Sequence, residues 1–401
     1  MSNQTYDVII AGGSVAGAAL GWALAKRGAR VLVVEPEQSF RDRVRGESIH
    51  PWGAAEARRL GLADVVQAAG ARPARFWDTY VAGGRVARRD LTETTRGAQA
   101  GLNIHHPELQ EALLAAAAQA GCEVLRGVRV ADVQPGAAPE VELEPESGAE
   151  RSRCRAGVVV LADGRGSRLR EPLGIELRAE LAPVYVSGVL LNAGREAHAM
   201  ELFWPPQLGT LALLVPLAAA RTRLYFVQPV AAESQRYSGA ASVAALLARC
   251  GELGVPGEWL ASASALGPLA TFQMPLQRID PETLPRGVVA IGDAAGTVDP
   301  AFGCGLSMAL RDARTLSERL AGGSSPQLAA AEFARERSGY HAALLRLEAW
   351  LYRVLFGIGS DPQPLRAAAL ERLPALNVDL VGLGPDAPSD PATEAALFAP
   401  I

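Results

Sequence analysis

The sequence of 401 residues has few of the side chains that bind metals or cross-link small domains. Its four cysteines lie far apart, without a CxxC pair or a short Cys/His motif. Zinc sites and disulfide frameworks normally show such spacings, so the pattern predicts neither of them. Isolated cysteines are typical of a reducing compartment, and we therefore expect a cytoplasmic protein without a metal. The four are Cys122, Cys154, Cys250 and Cys304.

Long apolar runs and basic stripes are also missing. The longest apolar run, residues 208–220, is too short to span a bilayer and contains Pro216, so no integral membrane segment is predicted. The first residues lead straight into a strand-like run, from which we expect no signal peptide. The net charge is −4 and no basic stripe with interleaved aromatic residues occurs, so nucleic acid is not an expected partner.

What the chain does contain is a large apolar fraction, 49%, with patterns that change along its length. This is enough for a sizeable core and two interleaved subdomains. Runs typical of buried parallel strands cover residues 8–10, 30–35, 157–161 and 288–291. Helical patterns cover residues 18–27, 107–121, 242–250, 307–320 and 326–356. Patterns of an antiparallel sheet cover residues 185–191, 200–204, 210–215, 223–230 and 269–276. From residue 384 onward, proline and aspartate predict a loose tail.

The first motif with a chemical meaning is GGSVAG, between the first strand and the first helix. A dinucleotide-binding turn needs close backbone approach to a pyrophosphate and a helix N-terminus aimed at it. Gly12 permits the tight turn, Gly17 lets the helix pack on the strand, and Ser14 replaces the usual middle glycine. Glu35 ends the next strand, where an acid binds ribose hydroxyls and disfavours a 2′-phosphate. The six motif residues are Gly12, Gly13, Ser14, Val15, Ala16 and Gly17.

The second motif, IGDAAGTVDPAFGCGLS, begins at residue 291. Asp293 follows a buried strand and can accept hydrogen bonds from a polyol such as the ribityl chain of FAD. A loop of small residues then opens a helix near Leu306, whose N-terminal amides would stabilise negative charge on a reduced flavin. The loop and helix start contribute Gly292, Pro300, Gly303, Gly305 and Ser307.

Together with ADGRGSRLR at residues 162–170, these two motifs resemble the FAD-dependent monooxygenases of the p-hydroxybenzoate hydroxylase fold, over residues 6–355. The resemblance implies an α/β fold with a Rossmann-like FAD-binding domain, a mostly antiparallel substrate-binding sheet and C-terminal helices. We assign residues 1–75, 100–172 and 286–325 to the first domain. Residues 76–99 and 173–285 are assigned to the second, and residues 326–401 to the C-terminal helices and tail.

The same resemblance implies further flavin contacts. Asp163 falls where flavin and nicotinamide binding meet, and Arg45 matches an arginine near the flavin pyrophosphate. His106 stands where the family usually has an arginine, so this phosphate contact shifts to Gln110 as an alternative. The backbone of Val130 falls near the adenine. Ser307 replaces a common asparagine whose backbone faces the flavin.

The activity implied is hydroxylation or epoxidation of a small hydrophobic, aromatic or polyketide-like substrate. In the family NAD(P)H reduces the flavin, and O2 then forms a flavin C4a-hydroperoxide that transfers one oxygen atom. Only one dinucleotide motif is present, so NAD(P)H is expected to bind transiently, or a partner reductase supplies the electrons. Candidate substrate contacts on the predicted sheet are Tyr185, Trp204, Tyr225 and Gln273.

The string GESIHP, residues 46–51, resembles a subgroup that includes tailoring hydroxylases and flavin-dependent halogenases. Those halogenases need a lysine beyond this motif and a WxWxIP signature. The sequence has no lysine after Lys26 and lacks the signature, so halogenation is the weaker alternative. His50 is a candidate general base, substrate anchor or covalent attachment point of the flavin, or a residue that shapes the loop. Glu47 is a candidate to hold the same loop by hydrogen bonds.

Two other functions stay open at this point. A reductase or dehydrogenase of the same fold, acting on double bonds, also resembles the second motif. A non-catalytic flavoprotein would bind FAD without turnover. Oxygen-dependent product formation separates the first from a monooxygenase, and reduction of the flavin by NAD(P)H separates the second.

Overall fold

The computed structural model describes residues 5–44, 46–195, 198–231, 234–359 and 363–399. Its strands are β1 Thr5–Ala11, β2 Val31–Glu35, β3 Ser48–Ile49, β4 Arg72–Ala74, β5 Phe76–Val81, β6 Gly84–Asp90, β7 Gly101–Asn103, β8 Glu123–Arg126, β9 Val128–Gln134, β10 Glu140–Pro145, β11 Ser152–Leu161, β12 Leu177–Leu181, β13 Val184–Leu191, β14 Ala199–Trp204, β15 Leu211–Pro216, β16 Thr222–Pro229, β17 Ala270–Phe272, β18 Pro275–Ile279 and β19 Val288–Ala290. Its helices are α1 Val15–Ala25, α2 Pro51–Arg59, α3 Ala63–Ala68, α4 Leu91–Thr94, α5 His106–Gln119, α6 Val243–Glu252, α7 Gly257–Ser262, α8 Gly305–Ala321, α9 Pro326–Phe356, α10 Gln363–Arg372 and α11 Pro391–Phe398.

The first large sheet is built around parallel strands whose residues are almost all apolar. Its order is β8-β2-β1-β11-β10-β9, with β19 pairing on β11. β1 is parallel to both β2 and β11, and β11 is parallel to β19. Strands covered on both faces need apolar side chains on both faces, which is why these runs show no alternation. Helices α1, α5 and α8 pack together and cover one face.

The second large sheet has the order β17-β13-β16-β15-β14-β5-β6. All of its pairings are antiparallel except that between β14 and β5. One face, which we call the inner face, packs with the loop before α8 and with α9 in a single apolar cluster. The opposite, outer face packs against α6 and α7. The predicted α/β architecture with a mostly antiparallel second sheet is therefore confirmed, whereas the exact domain boundaries stay a prediction.

Two local expectations were wrong. The single strand predicted over residues 269–276 is two strands, because β17 pairs with β13 while β18 turns away to pair with β12. The tail from residue 384 was expected to be loose. Instead, Asp386 pairs with Arg311 of α8, and α11 packs against α10.

The longest helix agrees with the sequence pattern from end to end. α9 was predicted over residues 326–356 and occupies the same residues. It begins with Ser325, whose side chain caps the first turn, and ends at Gly357 with φ 67°, a left-handed conformation that suits glycine. No helix in the described part of the chain is long and apolar enough to cross a membrane.

Candidate functional site

Three sequence motifs follow three adjacent parallel strands. β1 ends at Ala11, opposite Leu161 of β11, and Leu161 is in turn opposite Ala290 of β19. Because parallel strands end at the same edge, the residues that follow them gather there. The glycine turn, Asp163 and the turn at Gly292 thus lie side by side at the carboxyl edge of the sheet.

The glycine turn has no room for larger side chains. Gly12 has φ 111°, and a Cβ at this position would contact the carbonyl oxygen of Ala162. A Cβ on Gly17 would contact the carbonyl oxygen of Gly12. Ser14 is extended, and α1 begins at the next residue. The first amides of α1 therefore point at the space beside the turn, as an anion site requires.

Glu35 lies beneath this turn and is buried. Its carboxylate accepts hydrogen bonds from the backbone of Gly13 at 2.8 Å and of Glu37 at 2.9 Å. Burial raises its pKa, and the two amides oppose that rise. The side chain thus holds the turn in addition to the ribose contact predicted for it, a role that strand position alone did not indicate.

The helix α5 approaches the same turn from the other side. Gln110 donates to Ser14 Oγ at 2.8 Å, which brings the alternative phosphate contact to the glycine turn. His106 Nδ1 lies 2.9 Å from the carbonyl oxygen of Gly46. Val130 is half-buried on β9, opposite Leu143. The predicted contact Arg45 lies outside the described residues.

The second motif forms a tight turn, which we call the 292–296 turn, followed by a loop. Gly292 has φ 57° and Gly296 has φ 151°, so glycine serves the backbone at both ends. The side chain of Asp293 is exposed at the edge of the sheet, although its neighbours Gly292 and Ala294 are buried. An exposed carboxylate in a buried turn is well placed to accept hydrogen bonds from a bound polyol.

The loop before α8 is closely constrained. Asp299 accepts the amide of Ala301 at 2.7 Å, and Gly303 is left-handed with φ 68°. Met308 N bonds to Cys304 O as the first turn of α8 closes. The amides of Gly305, Leu306 and Ser307 precede this bond, at the N-terminal end of α8 where a helix has no intrahelical partner for its first amides.

His50 is buried and serves this loop. Its Nε2 lies 2.7 Å from the carbonyl oxygen of Phe302, which can only accept, so Nε2 carries the proton. Its backbone amide donates to Ser307 Oγ at 3.0 Å, and its ring stacks on Trp77 at 5.9 Å. Burial lowers its pKa and keeps the imidazole neutral. These contacts favour the loop-shaping interpretation over a general base.

A buried ionic cluster joins the GESIHP segment to the second sheet. The sequence analysis identified two of its members, Glu47 and Tyr225, but not the cluster itself. Arg223 is fully buried and donates to Glu47 at 2.9 Å and to Asp42 at 2.7 Å. Tyr225 also donates to Glu47. Burial raises the pKa of Glu47 to about 6, against the opposing charge of Arg223. An arginine in an otherwise apolar strand was the only available sequence signal.

A second buried acidic group was not predicted. Tyr352 donates to Asp299 at 2.5 Å, and the Asp299 amide lies 3.3 Å from Glu348 Oε2. Burial raises the pKa of Asp299 to about 6 and that of Glu348 well above its ordinary value. The loop before α8 therefore rests on side chains from α9.

The predicted substrate residues do not all lie together. Trp204 and Tyr225 are on the inner face of the second sheet, with Val186 and Met200. Tyr185 points to the other face of β13 from Val184 and Val186, and its hydroxyl accepts from Arg236, so it lies apart from Trp204 and Tyr225 and its assignment as a substrate contact stays a prediction. Gln273 lies between β17 and β18 and donates to the Ala182 carbonyl at 2.7 Å.

The described side chains form no cluster of metal ligands. Among the described residues, no group of three or more His, Cys, Asp and Glu side chains could hold a metal ion. The four cysteines are all buried and unlinked.

A family model described as "FAD binding domain" matches residues 5–327. The chain belongs to this family of FAD-binding proteins. The matched residues include the turn at Gly12, Glu35 and the exposed Asp293.

Curated relatives are more distant and carry several activities. The chain is 28% identical to a 6-methylpretetramide 4-monooxygenase of Streptomyces rimosus over 79% of its own length and 55% of that protein. It is 25% identical to a 1H-pyrrole-2-carbonyl-[peptidyl-carrier protein] chlorinase of Pseudomonas fluorescens over 79% of its length and 76% of that protein. A squalene monooxygenase of Panax ginseng is 31% identical over 43% of this chain. The chain spans only about a third to a half of the squalene and pretetramide enzymes.

Among solved structures, a p-nitrophenol 4-monooxygenase from Pseudomonas putida superimposes with a TM-score of 0.75 at 18% identity. The superposition covers 99% of this chain and 97% of that one. The shared architecture is the p-hydroxybenzoate hydroxylase fold, as expected from the three motifs. The GESIHP subgroup stays a prediction.

Proposed function

We propose that this protein is an FAD-dependent monooxygenase that hydroxylates or epoxidises a small hydrophobic substrate with NAD(P)H and O2. One observation carries the proposal. The glycine turn, Asp293 and the start of α8 meet at one sheet edge, and the apolar inner face of the second sheet packs against the loop between them. A flavin held there would have its reactive ring beside an apolar wall.

The residues have separate roles toward FAD. The turn at Gly12 and the N-terminus of α1 bind the pyrophosphate, and Glu35 binds the adenosine ribose. Asp293 binds the ribityl chain, and the first amides of α8 stabilise negative charge at the pyrimidine edge. FAD supplies the redox and oxygen chemistry when bound, while the protein positions it and excludes water.

The substrate class follows from the inner face. Trp204, Met200 and Val186 offer an apolar surface, and the Tyr225 hydroxyl and Glu47 are polar groups within it. Apolar surfaces with few polar groups bind aromatic or polyketide-like molecules through apolar contact with few hydrogen bonds. The monooxygenase relatives support this substrate class, and the small share of their length that is matched keeps it a proposal.

Two parts of the proposal have alternatives, namely the source of the electrons and the type of product. NAD(P)H binding in the shared cleft is favoured because a single dinucleotide motif is present, and a partner reductase is the alternative. Halogenation is favoured by the chlorinase relative, and the lack of any lysine after Lys26 opposes it. A cytoplasmic location is part of the same proposal and rests on the four unlinked cysteines.

The test begins with the absorbance spectrum of the purified chain. Bound flavin should bleach with NADPH or NADH, faster with a suitable substrate, and a product that gains one oxygen atom from 18O2 would establish the activity. Substrate turnover without O2 would instead favour the reductase. A halogenated product formed with chloride or bromide would favour the halogenase. Bound flavin that neither nucleotide nor an added reductase reduces would favour a non-catalytic flavoprotein.

Asp293→Ala gives the most direct test of the cofactor site. Loss of the exposed carboxylate removes the acceptor for the ribityl hydroxyls, so we expect the variant to purify with little flavin. The control is Asp280→Ala, because Asp280 lies on the surface and caps a short turn. A colourless, flavin-free Asp293→Ala beside a yellow Asp280→Ala would support the assignment. Full flavin content in Asp293→Ala would contradict it.

A further inference from the structure

A buried arginine of α9 lies behind the 292–296 turn. Arg337 is almost fully buried, with 4% of its surface exposed. It donates to the carbonyl oxygens of Gly292 at 3.1 Å, Ala295 at 3.2 Å and Gly296 at 3.3 Å. A planar guanidinium offers five N–H groups in fixed directions, so one side chain can bind three carbonyls of a tight turn at once.

The charge of Arg337 is paired on the same side of the turn. Its Nε donates to Asp312 of α8 at 2.8 Å, and Asp312 also accepts the amide of Gly292 at 2.7 Å and the Tyr340 hydroxyl at 2.5 Å. One ion pair therefore binds both the first amide of the turn and three of its carbonyls. Burying an ion pair has a desolvation cost. With this many hydrogen bonds, that cost is small compared with the cost of leaving the buried amide and carbonyls of the turn without hydrogen bonds.

A second arginine bonds to a fourth carbonyl of the turn. Arg170, from the ADGRGSRLR segment, donates to the Ala294 carbonyl at 3.3 Å and to Gln277 at 3.3 Å. Four of the five carbonyls of the 292–296 turn thus bond to guanidinium groups that lie behind it. The side chain of Asp293, the remaining residue of the turn, is exposed on the open side.

We propose that Arg337 is a cofactor-positioning residue, which holds the 292–296 turn so that Asp293 and the turn's amides face FAD. It lies beyond residue 327, where the family match ends, and outside all three motifs. The long helix α9 is then part of the flavin site rather than a cover over it. This inference rests on the proposed binding of FAD.

The test compares four variants of the full-length holoprotein. Arg337→Met removes the three hydrogen bonds that Arg337 donates to the turn, and Arg337→Lys keeps the charge beside Asp312 but offers one donor atom instead of three. Arg335→Met is the matched surface control on the same helix, since Arg335 is exposed and pairs with the exposed Glu282. Leu344→Ala, at a fully buried apolar position of α9, is the control for general destabilisation.

The measurements are the rate of FAD release after dilution, from the rise of flavin fluorescence, the visible circular dichroism of the bound flavin, and the melting temperature. We expect Arg337→Met to release FAD at least tenfold faster with an altered dichroism band, and Arg337→Lys to fall between it and the parent. Arg335→Met should stay within twofold of the parent. Leu344→Ala should melt earlier but release FAD at the parent rate below its transition.

Release from Arg337→Met at the parent rate would overturn the proposal, as would release that changes only in proportion to the melting temperature in both Arg337→Met and Leu344→Ala. If Arg337→Met does not fold, Arg337→Lys decides by the same criteria. A parent protein that takes up no FAD would overturn the proposed function and this inference with it. A flavin-binding parent with an unaffected Arg337→Met would overturn the inference alone.

Discussion

At the scale of single residues, the site depends on glycines whose missing side chains leave room for backbone contacts. The Gly17 α-carbon faces the Gly12 carbonyl so closely that any Cβ must push α1 away from β1. The fold tolerates glycine inside a helix here, in spite of its entropic cost of about 1 kcal/mol, because the pyrophosphate turn requires the close approach.

Gly17→Ala should therefore lose FAD. We expect flavin content after purification to fall severely, since the added methyl group opens the turn that binds the pyrophosphate. The control is Gly339→Ala on α9, where a Cβ meets nothing within 4 Å. That change should keep full flavin content and slightly raise stability, because alanine is the better helix former. Equal flavin content in both variants would contradict the assignment of the glycine turn.

At the scale of elements, buried charges join segments that are distant in the sequence. Arg223 of β16 binds both Asp42 and Glu47, which lie in the chain between β2 and β3. Arg223→Met should destabilise the protein by about 3–5 kcal/mol, because it leaves the buried carboxylate of Glu47 and the half-buried carboxylate of Asp42 without the arginine that pairs with both. Urea unfolding would measure this.

Glu47→Gln is the milder partner of that experiment, since the amide keeps an acceptor for Arg223 and Tyr225. The exposed pair of Arg151 with Glu142 serves as the surface control, and Arg151→Met should change stability little. An Arg223→Met variant as stable as Arg151→Met would show that the cluster does not hold the two segments together.

The acidic pair beneath the loop before α8 predicts a pH dependence. Burial raises the pKa of Asp299 from 3.8 to about 6, so the folded protein binds this proton more tightly than the unfolded chain. The stabilisation is complete below pH 3.8 and is lost as the pH rises through 6. The loss amounts to about 3 kcal/mol for a shift of roughly two pH units.

Asp299→Asn, which is neutral at every pH, should remove this contribution. The difference in unfolding free energy between parent and variant should therefore move in favour of the variant between pH 4 and pH 7. Denaturant titrations at several pH values measure that difference, and carboxylates distant from Asp299 cancel from it. Parallel curves for the two proteins would mean that Asp299 does not titrate in this window.

At the scale of the whole molecule, the proposed cofactor site draws on both sheets and α9, so FAD binding and folding should be coupled. Added FAD should raise the melting temperature in a concentration-dependent way. At 100 times its Kd, FAD should add about 2.7 kcal/mol to the free energy of unfolding. A chelator should have no effect, since no ligand set for a metal occurs among the described residues. A melting temperature independent of FAD would count against a site shared by these elements.

Much of this arrangement was predictable because it is local. Apolar runs without alternation indicate parallel strands such as β1 and β19, and the glycine and GDAAG motifs follow them directly. The position of α9 was predictable from its periodicity, its Ser325 cap and Gly357. Family resemblance added Asp163 and Gln110, and the structure brings Gln110 to Ser14.

The rest depends on contacts between distant segments. Nothing in the sequence around Arg337 distinguishes it from the many surface arginines, and the apolar neighbours of Arg223 in β16 do not reveal its partners, because these partners arise only when α9 and β16 pack on other elements. The same holds for Tyr185, whose face of the sheet follows from strand register, and for β18, which leaves the second sheet to pair with β12.

By itself, the sequence determined the fold class, the cofactor type and the edge of the sheet where FAD would bind, since these follow from short-range patterns and strand order. Only the tertiary structure decided which side chains support that edge from behind. A guanidinium or carboxylate is recruited by the backbone groups that packing leaves buried, and those groups are known only once the elements are in place.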